Sequence, residues 1–290
     1  GSGLRHYQAD SHLYAWLEAK GIDFDLITDR ELHEEGVESI RDYKALCTGS
    51  HPEYHTPQTL DALQNYRDQG GRLVYLGGNG FYWKIALSPE DPGLIEIRRG
   101  ESGIRAWAAE PGEYYHSFDG SYGGLWRRNG RPPQLLAGVG FSAQGKFEGS
   151  YYRRTAESHA PDLAWMFEGI EDQEILGDFG FSGGGAAGFE LDRADVRLGT
   201  PEEVRVVASS ENHTASFVLV PEEMLTHITN WPGEEEQQKL IRSDIVYFRT
   251  PSGGEVFSTG SITFCGSLPW NDFDNNISGL LENIIRRFLL

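Results

Sequence analysis

Tyr43-Lys44-Ala45-Leu46-Cys47-Thr48-Gly49-Ser50-His51-Pro52-Glu53-Tyr54-His55-Thr56-Pro57 is the stretch on which the fold turns. Its apolar part at 43–49 reads as a buried strand, and a polar loop then leads into a helix start. Thr56 is a good N-cap, and Pro57 suits the first helical position because its missing N–H would have no partner there. The helix so opened carries Leu60, Leu63 and Tyr66 and ends at Gly70-Gly71, after which Arg72-Leu73-Val74-Tyr75-Leu76-Gly77 reads as the next strand. Strand, short helix, strand predicts a βαβ unit, in which the two strands lie parallel.

The flanks extend the alternation. Asp10 is placed to cap a helix with Leu13, Trp16 and Leu17 on one face, stopped by Gly21; Phe24 to Thr28 reads as a short strand, and another helix is expected from Asp29 to Gly36. At the far end, Ile245 to Arg249 and Glu255 to Phe264 read as strands, and a last helix carries Leu280, Leu281, Ile284, Ile285 and Phe288. Between about 92 and 220 the pattern changes to short β-type runs rich in Gly and Pro. The reading is a single α/β domain over 1–290 with a mainly parallel sheet, strands near 24–28, 45–49, 72–77 and 255–264, and a β-rich insertion at about 92–220.

Composition narrows the function. Asp plus Glu number 44 against 25 Lys plus Arg, a net charge of -19, so a polyanion would be repelled and nucleic acid is excluded as a partner. No apolar run reaches the roughly 18 residues of a membrane span, and the amino terminus lacks the apolar core of a signal peptide, so the chain reads as cytoplasmic with no membrane partner. Two cysteines, Cys47 and Cys265, cannot build a disulfide framework or a cysteine zinc site. The chain begins without Met and reads as a fragment or a processed product.

In a parallel sheet, ligands bind beyond the carboxyl ends of the strands. The loop at 48–56 lies there and packs His51, Glu53, Tyr54 and His55 into five positions; the alternative is that Pro52 makes the turn and the polar residues face water. The next loop, Gly77-Gly78-Asn79-Gly80-Phe81-Tyr82-Trp83, follows the neighbouring strand. The two are expected to line one pocket with Tyr54 pointing inward, Glu53, His55, Asn79 and Phe81 contacting substrate. Gly183 to Gly188 satisfies G-x-G-x-x-G but neither follows an evident strand nor opens a helix, which argues against a dinucleotide site. Glu113-Tyr114-Tyr115-His116 adds a carboxylate and an imidazole, with a solvated loop as the alternative. Cys47 falls before the end of its strand and should point into the core. Ser50 beside His51 is poorly disposed for a Ser-His pair, since neighbouring side chains rarely share one hydrogen bond.

Leu4-Arg5-His6-Tyr7, His51-Pro52-Glu53-Tyr54, Gly77-Gly78-Asn79 with Phe81-Tyr82-Trp83, Gly123-Gly124-Leu125-Trp126-Arg127, and Gly253-Gly254-Glu255-Val256-Phe257 with Gly260-Ser261-Ile262 together resemble the carboxy-terminal domain of the N,N-dimethylformamidase large subunit and its homologues. The resemblance implies a class I glutamine amidotransferase-like, flavodoxin-like fold without its cysteine nucleophile. It further implies a ferric iron held by two Tyr phenolates and one Glu and used to hydrolyse a small amide. It transfers Tyr54 as one ligand, with Tyr82 the nearest second tyrosine and Glu113 or Asp119 the carboxylate. A free phenol ionises near pH 10, so phenolate ligation calls for a strongly Lewis-acidic cation. Glu255, His116 and His51 are then the candidate catalytic groups, Glu255 or His116 moving the proton to the leaving amine. The resemblance also implies a missing amino-terminal region and a small subunit, and leaves self-association open. The competing class is a non-catalytic binding or assembly module built on the same scaffold.

Overall fold

The computed structural model describes residues 5–91, 93–100, 110, 112–220 and 232–290. The βαβ unit is present: β1 (Leu46–Cys47), a short β2 (Tyr54–His55) in the loop, a helix at Pro57–Asp68 and β3 (Arg72–Tyr75), with β1 and β3 parallel. Two helices precede it, α1 (Arg5–Ala19) and α2 (Asp29–Glu35), so the helix at 57–68 is α3. Thr28 closes a capping box with Glu31 on α2, and the Thr56 hydroxyl accepts the Thr59 N–H on α3. Removing that last cap is expected to cost about 1 kcal/mol. Denaturant unfolding of Thr56→Ala measures it, and an unchanged midpoint would show that the cap contributes nothing.

The expected flavodoxin-like, mainly parallel architecture is not what forms. The large sheet has eight strands in the order β1-β3-β11-β10-β8-β6-β7, with β9 paired to β6. Here β6 is Gly140–Arg154, β7 Ala187–Arg193, β8 Arg205–Glu211, β9 Val218–Leu219, β10 Asp244–Arg249 and β11 Glu255–Ser258. Only β1 with β3 and β3 with β11 run parallel within it; every other pairing is antiparallel. Of the strands expected at 92–220, β6 to β9 are therefore members of the same sheet and not an insertion into it. A second sheet joins β2 to β4 (Trp83–Leu87) in parallel and β4 to β5 (Ile95–Ile97) in antiparallel fashion.

Burial on both faces explains the misreading. Residues 245–248 of β10 form a continuous apolar run, the signature of a parallel strand covered on both sides. Its Ile245 and Tyr247 enter one core with Trp16, Leu280 and Ile284, while Val246 and Phe248 enter another with Leu60, Leu63 and Tyr66. Helix α1 and the last helix, Asn276–Leu289, cover one face; α2 and α3 cover the other. Coverage produced the pattern, and strand direction left no mark on it.

The expected strand at 24–28 is absent: the segment carries no ladder, and Leu26 is exposed. A cavity of about 330 Å³ lies between 22–27 and the edge of β1, where a ladder would have run. β6 bends instead of continuing straight, with register breaks at Phe141/Ala143 and Gln144/Gly149. A Cβ on Gly149 would lie 2.4 Å from the Gly185 carbonyl oxygen, so this close backbone approach is what the glycine run at 183–188 serves. The bend curls the sheet until β7 returns to the segments that follow β3 and β11: Asp192 N–H donates to the Gly260 carbonyl at 2.8 Å, and Leu191 bridges Ser261.

Candidate functional site

The loops after β1 and β3 do meet. Phe81 N–H donates to the Pro52 carbonyl, Tyr82 and Trp83 N–H donate to the Glu53 carbonyl, and β2 pairs with β4 in the register Tyr54 to Trp83. Of their polar side chains, those of His51 and Glu53 are mostly covered, at 10% and 12% exposed, whereas Tyr54, expected to point inward, is 38% exposed. His51 Nε2 lies 2.9 Å from Glu53 Oε2 and Nδ1 lies 2.9 Å from the Gly78 carbonyl oxygen. A carboxylate and a carbonyl only accept, so the ring donates on both sides and is an imidazolium. Burial pulls this imidazole down, but the Glu53 hydrogen bond, the charges of Glu190 and Glu53, and the Gly78 carbonyl lift it above the usual histidine value. Glu53 Oε1 also accepts from Asn79 Nδ2 at 3.2 Å, so the carboxylate is gripped from two sides.

Residues of α1 and β7 complete the cluster. From α1, Asp10 Oδ1 accepts the Ser50 N–H at 2.7 Å and the Ser50 hydroxyl at 2.8 Å, which ties Ser50 to Asp10 and not to His51. The His6 ring stacks on His51 at 4.7 Å. From β7, Glu190 Oε2 lies 3.6 Å from His51 Nδ1, and Asp192 accepts the Asn79 N–H and the Tyr75 hydroxyl. Sequence reasoning missed Glu190, Asp192 and Tyr75. Their signal was the alternation Phe189-Glu190-Leu191-Asp192, which puts two carboxylates on one face of a strand, an arrangement a solvated edge would show equally well.

The other expected residues lie elsewhere. Glu255 is the first residue of β11, in register with Arg72 at the amino ends of the parallel strands, about 10 Å of strand from the loops at their carboxyl ends. There it accepts from the Tyr247 hydroxyl and faces Arg72 and Arg249 at 3.6 and 3.5 Å. Parallel pairing aligns strand starts with strand starts, and that removes Glu255 from this edge. His55 is a staple, its ring nitrogens 3.1 Å from the Thr59 hydroxyl and 3.0 Å from the Pro52 carbonyl oxygen. Phe81 packs in the core between Tyr75 and His55. His116 is buried beneath Gly123, 3.7 Å from Asp119, and burial pulls its pKa down. Cys47 is half-buried against the first core, and burial pushes its thiol up to about 12.

The three residues transferred as iron ligands have three separate sets of partners. The Tyr54 hydroxyl accepts from Arg99 Nη2 at 2.5 Å, and burial followed by the Glu53 charge pushes this phenol up to about 12. Tyr82 is buried against Trp83, Phe141 and Leu125. Glu113 is exposed and accepts the Glu110 N–H at 2.9 Å. Neither a guanidinium beside one donor nor an apolar cage around the next fits a shared cation. Among the described residues no three His, Cys, Asp or Glu side chains are grouped to hold a metal, and no helix is long and apolar enough to cross a membrane.

Comparison with known proteins agrees with the resemblance in the sequence. The family model for the N,N-dimethylformamidase beta subunit-like carboxy-terminal region matches residues 1–276. The N,N-dimethylformamidase beta subunits of an Alcaligenes species and of Paracoccus aminophilus are each 41% identical over 281 residues, 97% of this chain and 36% of the relative. The chain thus spans little more than a third of the length of the curated relatives it matches. An identity of this level over nearly the whole chain, with the paired loops built as one site, places the chain in the N,N-dimethylformamidase beta subunit-like, carboxy-terminal family.

Proposed function

We propose that this chain supplies the amide-binding and hydrolytic centre of a dimethylformamidase-type beta subunit. The supporting observation is the Glu53 carboxylate held between the His51 imidazolium and the Asn79 amide at the carboxyl edge of β1 and β3, in a chain whose relatives bear that name. Hydrolysis forms one C–O bond from water and breaks the C–N bond, with the water proton leaving on the amine. Glu53 accepts that proton and His51, 2.9 Å away, returns one to the nitrogen. A small neutral amide suits a protein of net charge -19, which does not repel it.

The test is the complete subunit, assembled with whatever partner subunit it takes, assayed on small amides. Glu53→Gln is expected to lower kcat/KM about a hundredfold with unchanged circular dichroism; full turnover by that variant would move the chemistry elsewhere. The isolated 290-residue chain is expected to turn over little or no dimethylformamide, because the relatives are nearly three times as long.

Iron enters only through the resemblance, and since Tyr54, Tyr82 and Glu113 do not fit one ligand set, no step is routed through it. Elemental analysis after expression in iron-replete medium is expected to find less than one iron per chain. Stoichiometric iron with a phenolate colour bleached by Tyr54→Phe would overturn that. The same divergence favours a second reading, a binding or assembly module, which predicts no turnover in the complete assembly and no effect of Glu53→Gln.

A further inference from the structure

β1 is the outermost strand of the large sheet, with β3 on one side and, among the described residues, no strand on the other. Its register with β3 decides which of its main-chain groups are left over. Thr48 N–H donates to the Val74 carbonyl at 2.9 Å, and in a parallel ladder alternate residues turn to the same neighbour. Leu46 and Thr48 therefore face β3, while Ala45 and Cys47 turn their N–H and C=O groups the other way. They open onto the cavity of about 330 Å³ that separates β1 from residues 22–27. Main-chain groups without partners beside apolar walls are costly, and a free strand edge is a template for another strand.

The walls of the cavity define what fits. Leu13 and Leu17 of α1 and Ile285 of the last helix line it from one core, and Ile40 lines it from the other, so the two cores on opposite faces of the sheet both reach it. A segment lying there is covered on both faces, which calls for a near-continuous run of Val, Ile or Leu. Asp23, Asp25 and Glu35 also line the cavity, while Lys44 donates to the Leu289 carbonyl, so an acidic segment is repelled. Direction follows from α1, which opens at the carboxyl edge of β1: its Asp10 holds Ser50 and its His6 stacks on His51. A strand leading into α1 runs toward that edge, parallel to β1.

We infer that the slot beside β1 takes a strand of the same polypeptide, an apolar segment lying before residue 1 in a longer subunit, which pairs in parallel with Ala45 and Cys47 and makes β1 an interior strand. Relatives have the material for it: the family model is that of a carboxy-terminal region, and the matched beta subunits are nearly three times as long as this chain. The docked strand braces β1, and β1 carries the loop with His51 and Glu53. The amide-hydrolysis reading is not needed for any of this.

The experiment compares the 290-residue chain with the complete subunit by hydrogen exchange resolved to single amides. In the chain, the Ala45 and Cys47 amides are expected to exchange at least about tenfold faster than those of Leu46 and Thr48, which β3 protects. In the complete subunit all four are expected to be protected alike, and an apolar dye that binds the chain at this cavity should no longer bind. Ala45→Pro removes an N–H that only the slot uses, so it should leave the urea midpoint of the chain unchanged and lower that of the complete subunit. Equal exchange of the four amides in the chain would mean that the edge is already closed. Fast exchange of Ala45 and Cys47 that persists in the complete subunit would mean that no strand of it docks there. Protection that appears only with a partner subunit, or only as chain concentration rises, would give the slot to that subunit or to a second copy. Each of these three results overturns the inference.

Discussion

Trp16→Ala is expected to lower the unfolding free energy by roughly 3–5 kcal/mol, a large share of the 5–15 kcal/mol typical of a domain. Trp16 is fully buried on the inner face of α1, where Leu13 and Leu17 join it against Leu280, Leu281 and Ile284 of the last helix. Its Nε1 donates to the Ser278 hydroxyl at 2.9 Å, so truncation leaves a cavity and an orphaned buried hydroxyl together. Urea unfolding followed by circular dichroism measures the loss, and a cost below about 1 kcal/mol would mean that α1 is not docked as described. The consequence reaches the site, because α1 carries the Asp10 that grips Ser50 and the His6 that stacks on His51.

Asp192 is expected to make stability fall as pH rises. Burial pushes its carboxyl up to about 8, against the pull of the Asn79 N–H and the Tyr75 hydroxyl, with the Glu190 charge adding to the rise. The unfolded chain titrates this group near 4, so between about pH 4 and 8 the folded state holds a proton that the unfolded state has released, and ∂ΔG/∂pH is negative. The contribution is fully present below pH 4 and gone above 8, a change on the order of 5 kcal/mol. Asp192→Asn cannot ionise and keeps an acceptor for the Asn79 N–H. The stability of the wild type minus that of the variant should therefore decline across this window and level off above it. A difference that stays flat from pH 4 to 8 would mean that Asp192 is ionised in the folded protein throughout.

Local order was legible where local physics decides it. Thr56-Pro57 starts α3, Gly36 ends α2 with φ of 65°, and Leu73-Val74-Tyr75 is strand because the residues are apolar and bounded by glycines. The pairing of β3 with β11 was also legible, as a return of the strand pattern at the end of the chain. At the site, the meeting of the loops after β1 and β3 followed from the βαβ unit alone, and His51, Glu53 and Asn79 came with it. His55 and Phe81 were drawn in by the same density argument, yet a histidine facing a hydroxyl and a carbonyl at hydrogen-bond distance and a phenylalanine among aromatics serve packing.

What the amino-acid order determined by itself was the set of elements, the polar loops at strand ends, the acidic balance and the family, since each depends on residue type and short spacing. Tertiary structure alone decided strand direction, the curl, and everything that reaches the site from a distance. Glu255 and Asp192 show the difference: both are acids in strand-like runs, but register with Arg72 sends one to the amino edge, while the bend of β6 carries the other to Asn79, 113 positions away in the chain. Spacing along a chain encodes neighbours within an element. Which edge of a sheet a side chain reaches depends on pairings between segments far apart, and those are selected by burying both faces of the sheet at once.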